Sequence, residues 1–241
     1  MSLTPGRFGL SQVIELPFLS PNGEKGSRLV TQLWKDKFSQ KEFTDTKLLA
    51  IHVHGPGQLH TKTKVTSLKE LAGQKLRTVG GGVQWVKALG ATPVVLPASA
   101  AHEALARGVA DGILFPWQAI SAYRLGKLVP HHLEIPNGLY TIAFFFTMNK
   151  RAYDRLPGKM KAVIDANSGP DTAAFFGRAW DAADVRARKA VAADKSQTIT
   201  TVDKAVLKEL RGRSGAIIDA WKKMATAKGV DGDAVIKALE Q

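Results

Sequence analysis

Residues 67–116 read SLKELAGQKLRTVGGGVQWVKALGATPVVLPASAAHEALARGVADGILFP, and they decide the fold class. Short apolar runs at 74–79, 93–96 and 112–115 read as strands. Between them, 84–89 and 100–107 read as helices closed by Gly90 and Gly108. Ser67, with Glu70 three residues on, has the pattern of a capping box for a short helix over 67–71. Strands alternating with helices argue an α/β fold with a mostly parallel sheet. Arg77 stands near the end of the first strand and is followed by Gly80-Gly81-Gly82. A guanidinium is always charged and forks onto a carboxylate. An arginine buried on a strand that opens onto glycines therefore predicts capture of a small organic anion.

The pattern continues outward from this unit. Residues 47–54 read as a strand ended by Gly55-Pro56-Gly57, and 13–18 as a short strand broken by Pro17. Residues 24–37 read as a helix with Leu29, Val30, Leu33 and Trp34 near helical spacing. Downstream, 117–125 reads as a helix, 139–148 as a long strand and 150–156 as a helix ending at Pro157. Then come a long amphipathic helix over 172–194, a strand over 198–202 and closing helices over 204–228 and 233–239. The turns Gly55-Pro56-Gly57 and Pro136-Asn137-Gly138 mark two crossings between lobes.

The composition narrows the function classes. The chain has 241 residues, 44% of them hydrophobic, enough for one large domain or two small ones. No apolar run reaches the roughly 18–20 residues that span a bilayer. Cysteine is absent, which removes disulfides and thiolate chemistry. The net charge is +13, but the lysines are scattered (Lys35, Lys62, Lys87 and Lys127, for example). They form no recognition helix and no aromatic strand motif, so nucleic acid is not the expected partner; the charge reads as a solvated basic surface.

Several residue types compete for the site. Gly80 belongs to a turn that lets a ligand or backbone approach closely. The glycine run lacks the GK[ST] ending of a phosphate loop, so no nucleotide cofactor is expected. Trp85, Phe115 and Trp117 are candidates to line a pocket, although aromatics at such spacing are also core residues. His52 and His54 share one strand face and could serve as an acid/base pair, or as metal ligands with His60 or His131-His132. Spacing brings no third ligand to them, so no metal is expected. Either histidine could instead donate a hydrogen bond to a ligand.

Four segments, LAGQKLRTVGG, LGATPVVLP, ALARGVADGILFP and TMNKRAYDRLP, resemble in order and spacing the solute-binding proteins of tripartite ATP-independent periplasmic (TRAP) transporters, the DctP family. Glu15-Leu16-Pro17-Phe18 matches a further short segment of that pattern. The resemblance implies a periplasmic-binding-protein-like fold of two α/β lobes with a cleft. Lobe I would take 1–56 plus 141–180, and lobe II 57–140 plus 181–241, with the long helix spanning both and coupling closure to binding. It implies that Arg77 bonds a ligand carboxylate, and that Phe115 stands where relatives often carry a ligand-binding Asn. It also suggests Arg7 as a ligand contact. The expected partners are a small organic acid and the TRAP membrane permease subunits, in the periplasm and without a cofactor. Relatives carry a further βαβ unit or two ahead of residue 15. Lobe I is therefore expected to be incomplete, with an open sheet edge through which two copies could pair. Two other readings stand beside this one: a truncated relative that no longer transports and acts as an interaction module, and an α/β enzyme using His52 or His54.

Overall fold

The computed structural model describes residues 6–239. A 3₁₀ turn, Ser11–Glu15, leads into α1 (Gly23–Leu33), which widens into one π turn over Trp34–Phe38. Next come β1 (Thr46–Val53), β2 (Gln58–Thr61), β3 (Lys75–Thr78), α2 (Gly82–Ala88), β4 (Thr92–Val95) and α3 (Ala101–Ala106). They are followed by β5 (Gly112–Phe115), α4 (Trp117–Ala122), β6 (His131–Glu134) and β7 (Ala143–Asn149). The chain closes with α5 (Lys150–Asp154), α6 (Gly158–Ala166), α7 (Pro170–Ala193), β8 (Thr198–Thr201), α8 (Lys204–Ala227) and α9 (Gly232–Leu239).

Two sheets form: a six-stranded one in the order β4-β3-β5-β2-β6-β8, and an antiparallel pair of β1 with β7. β3 runs parallel to β4 and β5, and β6 parallel to β8, whereas β2 is antiparallel to both β5 and β6. The expected mostly parallel sheet is thus correct around Arg77 and fails at β2. β2 follows β1 after only His54-Gly55-Pro56-Gly57, with no helix between them, and it pairs antiparallel on both sides.

The strand expected over 13–18 is instead the 3₁₀ turn followed by irregular chain. The carboxylate of buried Glu42 explains the difference. It accepts from the Leu10 and Ser11 amides at 2.7 and 3.0 Å and from the Ser11 hydroxyl. These backbone donors are satisfied by a side chain, as at a helix start. Val13 and Ile14 still bury completely.

The core has three parts. The first gathers Phe8, Val13, Ile14, Val30, Phe38 and Ile51, together with Trp221, Val235 and Leu239 from α8 and α9. The C-terminal helices, assigned from sequence to lobe II, thus supply core to lobe I. The other two parts lie on opposite faces of the six-stranded sheet: Leu76, Leu114, Trp85 and Tyr140 on one, Ile113, Phe115, Trp117 and Ile120 on the other. The period-2 alternation of β3 and β5 puts Arg77, the neighbour of Leu76, on the Ile113–Phe115 face.

Candidate anion site at the ends of β3 and β5

Arg77 is fully buried. Its Nε and Nη2 donate to the carbonyl of Leu96, just beyond β4, at 3.0 and 2.7 Å. The guanidinium carbon lies 4.4 Å from the centre of the Phe115 ring, a cation–π contact. Nη1 is buried and has no partner. Burial lowers the pKa, opposed by Tyr140 and Tyr123, and a guanidinium so placed stays charged. The result is a desolvated cation anchored through two N–H groups, with a third nitrogen left for something the protein does not supply. Leaving such a group unmatched is expensive.

Among the described residues, five buried side-chain polar atoms lack a partner. Three of them, Arg77 Nη1, Thr78 Oγ1 and Trp85 Nε1, fall in this one strand-to-helix passage. Gly80 takes a positive φ of 57° there, a conformation that favours glycine. A Cβ at Gly82 would collide with the Thr78 hydroxyl. The glycine run therefore serves a close approach of backbone to side chains.

At this passage Phe115 lies on the Arg77 face of the sheet and Tyr140 on the opposite one. The Phe115 ring stacks on Tyr123 at 5.7 Å and 16°, so Arg77 meets the face of a fixed aromatic pair. Buried Tyr140 donates from its hydroxyl to the Leu114 carbonyl at 2.9 Å, and burial raises its pKa. Sequence reasoning missed Tyr140, which was absorbed into a strand expected over 139–148; β7 begins only at Ala143. The available signal was Gly57, where any Cβ would overlap the Tyr140 ring.

The other expected site residues lie in different surroundings. His54 sits edge-on to Tyr140, ring centres 6.1 Å apart. Its Nδ1 lies 2.5 Å from the Gly55 carbonyl, which only accepts, so Nδ1 carries the proton. Burial pushes its pKa down to about 4. The neutral ring therefore offers Nε2 as an acceptor and has no free N–H for a ligand, contrary to the donor role expected of it. Gly80 and Trp85 line a cavity of about 340 Å³ with Gly81, Gln84, Glu15 and Trp221; Arg77 and Phe115 are not part of that lining. Trp117 is buried against His60 and His132, ring centres 5.2 and 5.3 Å away. Arg7 is exposed and ion-paired with Asp45. The structure thus brings Arg77 and Phe115 together, sets His54 beside Tyr140, and places the remaining candidates elsewhere.

His52 completes the picture around β1. It accepts from the Trp180 indole N–H at 3.1 Å and packs against Phe144 and Phe176. Burial holds it near 4. This is an aromatic nest between β1, β7 and α7.

Two sheets with separate cores, joined by extended crossings and one long helix, and a buried arginine at a parallel strand end, define a two-lobed α/β binding protein. The family model described as bacterial extracellular solute-binding protein, family 7 (DctP) matches residues 3–225, and the chain belongs to that family, whose members are receptors rather than enzymes. Three solved structures are similar. A TRAP periplasmic solute-binding protein from Bordetella bronchiseptica, with bound (R)- and (S)-mandelate, is 31% identical with a TM-score of 0.91, covering 98% of this chain and 76% of its own. One from Rhodoferax ferrireducens, in complex with copurified benzoate, is 33% identical with a TM-score of 0.90, covering 99% and 75%. A marine metagenome protein specific for aromatic acid ligands, in complex with metahydroxyphenylacetate, is 35% identical with a TM-score of 0.90, covering 99% and 76%. Among the described residues, no helix is long and apolar enough to cross a membrane.

Proposed function

We propose that this protein is an extracytoplasmic receptor for a small aromatic carboxylate, which it delivers to a TRAP-type permease in the periplasm. The carrying observation is the buried, unpartnered Nη1 of Arg77 beside the Phe115 ring. A carboxylate accepts from that nitrogen and neutralises the buried charge. Phe115, where a polar side chain would favour hydroxylated acids, gives the ligand an apolar wall. The aromatic acids held by the three similar proteins support the same ligand class. In this reading the lobes expected from sequence, with α8 and α9 moved to lobe I, close over the acid. Closure excludes water, and the ion pair strengthens in the lower dielectric.

A thermal-shift panel tests this. Benzoate, mandelate and hydroxyphenylacetate raise the melting temperature, because a ligand that binds only the folded state must do so. Benzamide, of the same shape without the charge, leaves it unchanged. A folded sample that responds to none of the acids, or equally to benzamide, refutes the reading.

One observation favours pairing of two copies in addition. Among the described residues β1 is the one strand paired with β7, and Phe145 and Phe146 of β7 are 40% and 46% exposed. An uncharged, aromatic strand edge invites strand addition. Sedimentation equilibrium of the wild type against Phe146→Lys checks this: a monomer at every concentration rules the dimer out.

A further inference from the structure

The residues paired in register across the six-stranded sheet at Arg77 are, in order, Arg77, Ile113, His60, His132 and Ile199. Residues paired in this way share a face. His60 therefore lies on Arg77's face, two strands away, or about 10 Å at the usual strand spacing. Both histidines are buried.

Their hydrogen bonds can be counted for protons. His60 Nε2 is 3.1 Å from the Phe115 carbonyl, which only accepts, so Nε2 carries a hydrogen. Gln197 donates from Nε2 to Asp194 at 2.8 Å. This turns Gln197 Oε1 toward His132 Nε2, 3.0 Å away, so that nitrogen also carries a hydrogen. The two Nδ1 atoms are 2.7 Å apart and need one hydrogen between them, because two facing lone pairs repel. The network thus holds three ring hydrogens, and two neutral imidazoles supply two. Among the described residues, no third metal-ligating side chain joins the pair.

We propose that His60 and His132 bind one shared proton and form a buried cation on the sheet face that carries Arg77, so that capture of a carboxylate is coupled to proton uptake. The coupling rests on the receptor reading above; the proton site does not. The Trp117 ring packs on both imidazoles, a surface that suits a cation. Gln197 links the pair to Asp194, held down to about 2 by its bonds from Ser196 and Gln197. Burial and the charge on His132 push His60 down to about 3, so the pair refuses a second proton. Burial also lowers His132, opposed by its bond to Gln197.

The other charged or titratable groups facing the pair are few. β6 supplies His131, bonded to Thr198, and Glu134, ion-paired with Arg188 of α7. Lys64 shares a small cavity wall with His132, and Lys127 lies near Asp194. Asp184 of α7 accepts from the Gln118 amide at the start of α4. β5 presents only apolar side chains there.

A unit charge about 10 Å from an anion on Arg77 changes affinity roughly tenfold at an effective dielectric near 20. The sign is fixed. The protonated pair favours the anion, so affinity is highest at low pH and falls as the pair loses its proton.

Ring-nitrogen NMR of the ligand-free protein, from about pH 5.5 to 8.5 and assigned with His60→Gln and His132→Gln, tests the proton site. Three protonated ring nitrogens over the two histidines are expected at the low end. One bare nitrogen on each ring at every pH overturns the proposal, and this reading is made on the wild type even where a variant fails to fold. Calorimetric titration with benzoate, in buffers of different ionisation heat, tests the coupling. Proton uptake and a roughly tenfold fall in affinity with rising pH are expected in the wild type, and both vanish in His132→Gln. Proton-neutral binding at every pH overturns the coupling. If benzoate and its relatives do not bind at all, the receptor reading falls and the coupling with it, while the NMR result still decides the proton site.

Discussion

Replacing Arg77 by Met separates a binding arginine from a structural one, because the two roles predict opposite outcomes. In the empty protein the substitution removes two hydrogen bonds that converge on one acceptor, the Leu96 carbonyl. Bonds involving a charged group contribute about 1.5–3 kcal/mol each at best. The contact with Phe115 adds about 0.5–2 kcal/mol. Against these stands the removal of a buried cation with no counter-charge in contact, whose desolvation is unfavourable by several kcal/mol. The terms oppose one another, so Arg77→Met should unfold within about 2 kcal/mol of the wild type, on either side. The liganded protein behaves otherwise. Removing one partner of a buried, hydrogen-bonded ion pair is unfavourable by about 3–5 kcal/mol. At 1.4 kcal/mol per tenfold, that is a loss of roughly two to three and a half orders of magnitude in affinity. Urea unfolding of both proteins, followed by calorimetric titration with benzoate, measures the two quantities. A variant destabilised by more than about 3 kcal/mol that still binds benzoate within tenfold of the wild type would show that Arg77 holds β3 to β4, and the anion site would have to be sought elsewhere.

Three further outcomes follow from the same geometry. Phe115→Asn removes the ring that meets the guanidinium and stacks on Tyr123, so benzoate affinity should fall about tenfold to a hundredfold while hydroxylated aliphatic acids gain relative to it; competition binding checks the change of order. Asp184 is held up near 7, chiefly by burial. A carboxylate raised in this way contributes stability below its unfolded pKa of about 4 and loses it as pH climbs to about 7. Asp184→Asn keeps the acceptor for Gln118 and should flatten the decline, ending up to about 4 kcal/mol ahead at pH 8, as read by unfolding at several pH values. Gly177→Ala places a methyl against the backbone of Gly23 and Glu24. It should destabilise by about 1–3 kcal/mol despite the better helix propensity of alanine; thermal unfolding decides, and an unchanged midpoint would refute the close approach of α1 and α7.

The parts legible in the sequence were those whose local chemistry agrees with their environment. β3, α2, β4, α3 and β5 were marked by short apolar runs and by glycines at helix ends, and α7 by its length. β2 and β6 were not legible. Gln58, His60, Thr61 and His132 are buried polar residues, accepted because the strands on either side satisfy them, and no hydrophobic period announces this. α6 was missed for the opposite reason: its residues are largely exposed, so no apolar stripe marks it. Within the site, Arg77 was visible because a charge inside an apolar strand is anomalous. Arg7 was placed in it by resemblance alone, and Asp45, 38 residues away in sequence, engages it instead. The Leu96 carbonyl and Tyr140 could not be read, because both reach Arg77's neighbourhood through tertiary contacts with the chain beyond β4 and before β7.

The arrangement of α7 links both lobes to the region of the proposed anion site. Asp181 accepts from the Gly23 and Glu24 amides at 2.6 and 2.9 Å, capping α1 in the first lobe. Asp184 accepts from the Gln118 amide at 2.7 Å, beside α4 in the second. The two aspartates are three residues apart, about 4.5 Å along the helix axis. One helical turn therefore holds both lobes by backbone donors, and the Gly55 backbone of the crossing lies against Asp184 so closely that a Cβ would overlap its carboxyl group. Farther along, Arg188 forks onto Glu134 of β6, the strand that carries His132. A rigid helix gripped so near the crossing leaves little room for sliding. In the receptor we propose, the lobes turn about the short stretch between Asp181 and Asp184, against which Gly55 of the crossing lies. The carboxyl group at that pivot is the one whose burial holds it near neutral pH. The proposed hinge and the proposed anion site thus meet at α4, whose first turn is fixed by Asp184 and whose preceding strand ends in Phe115.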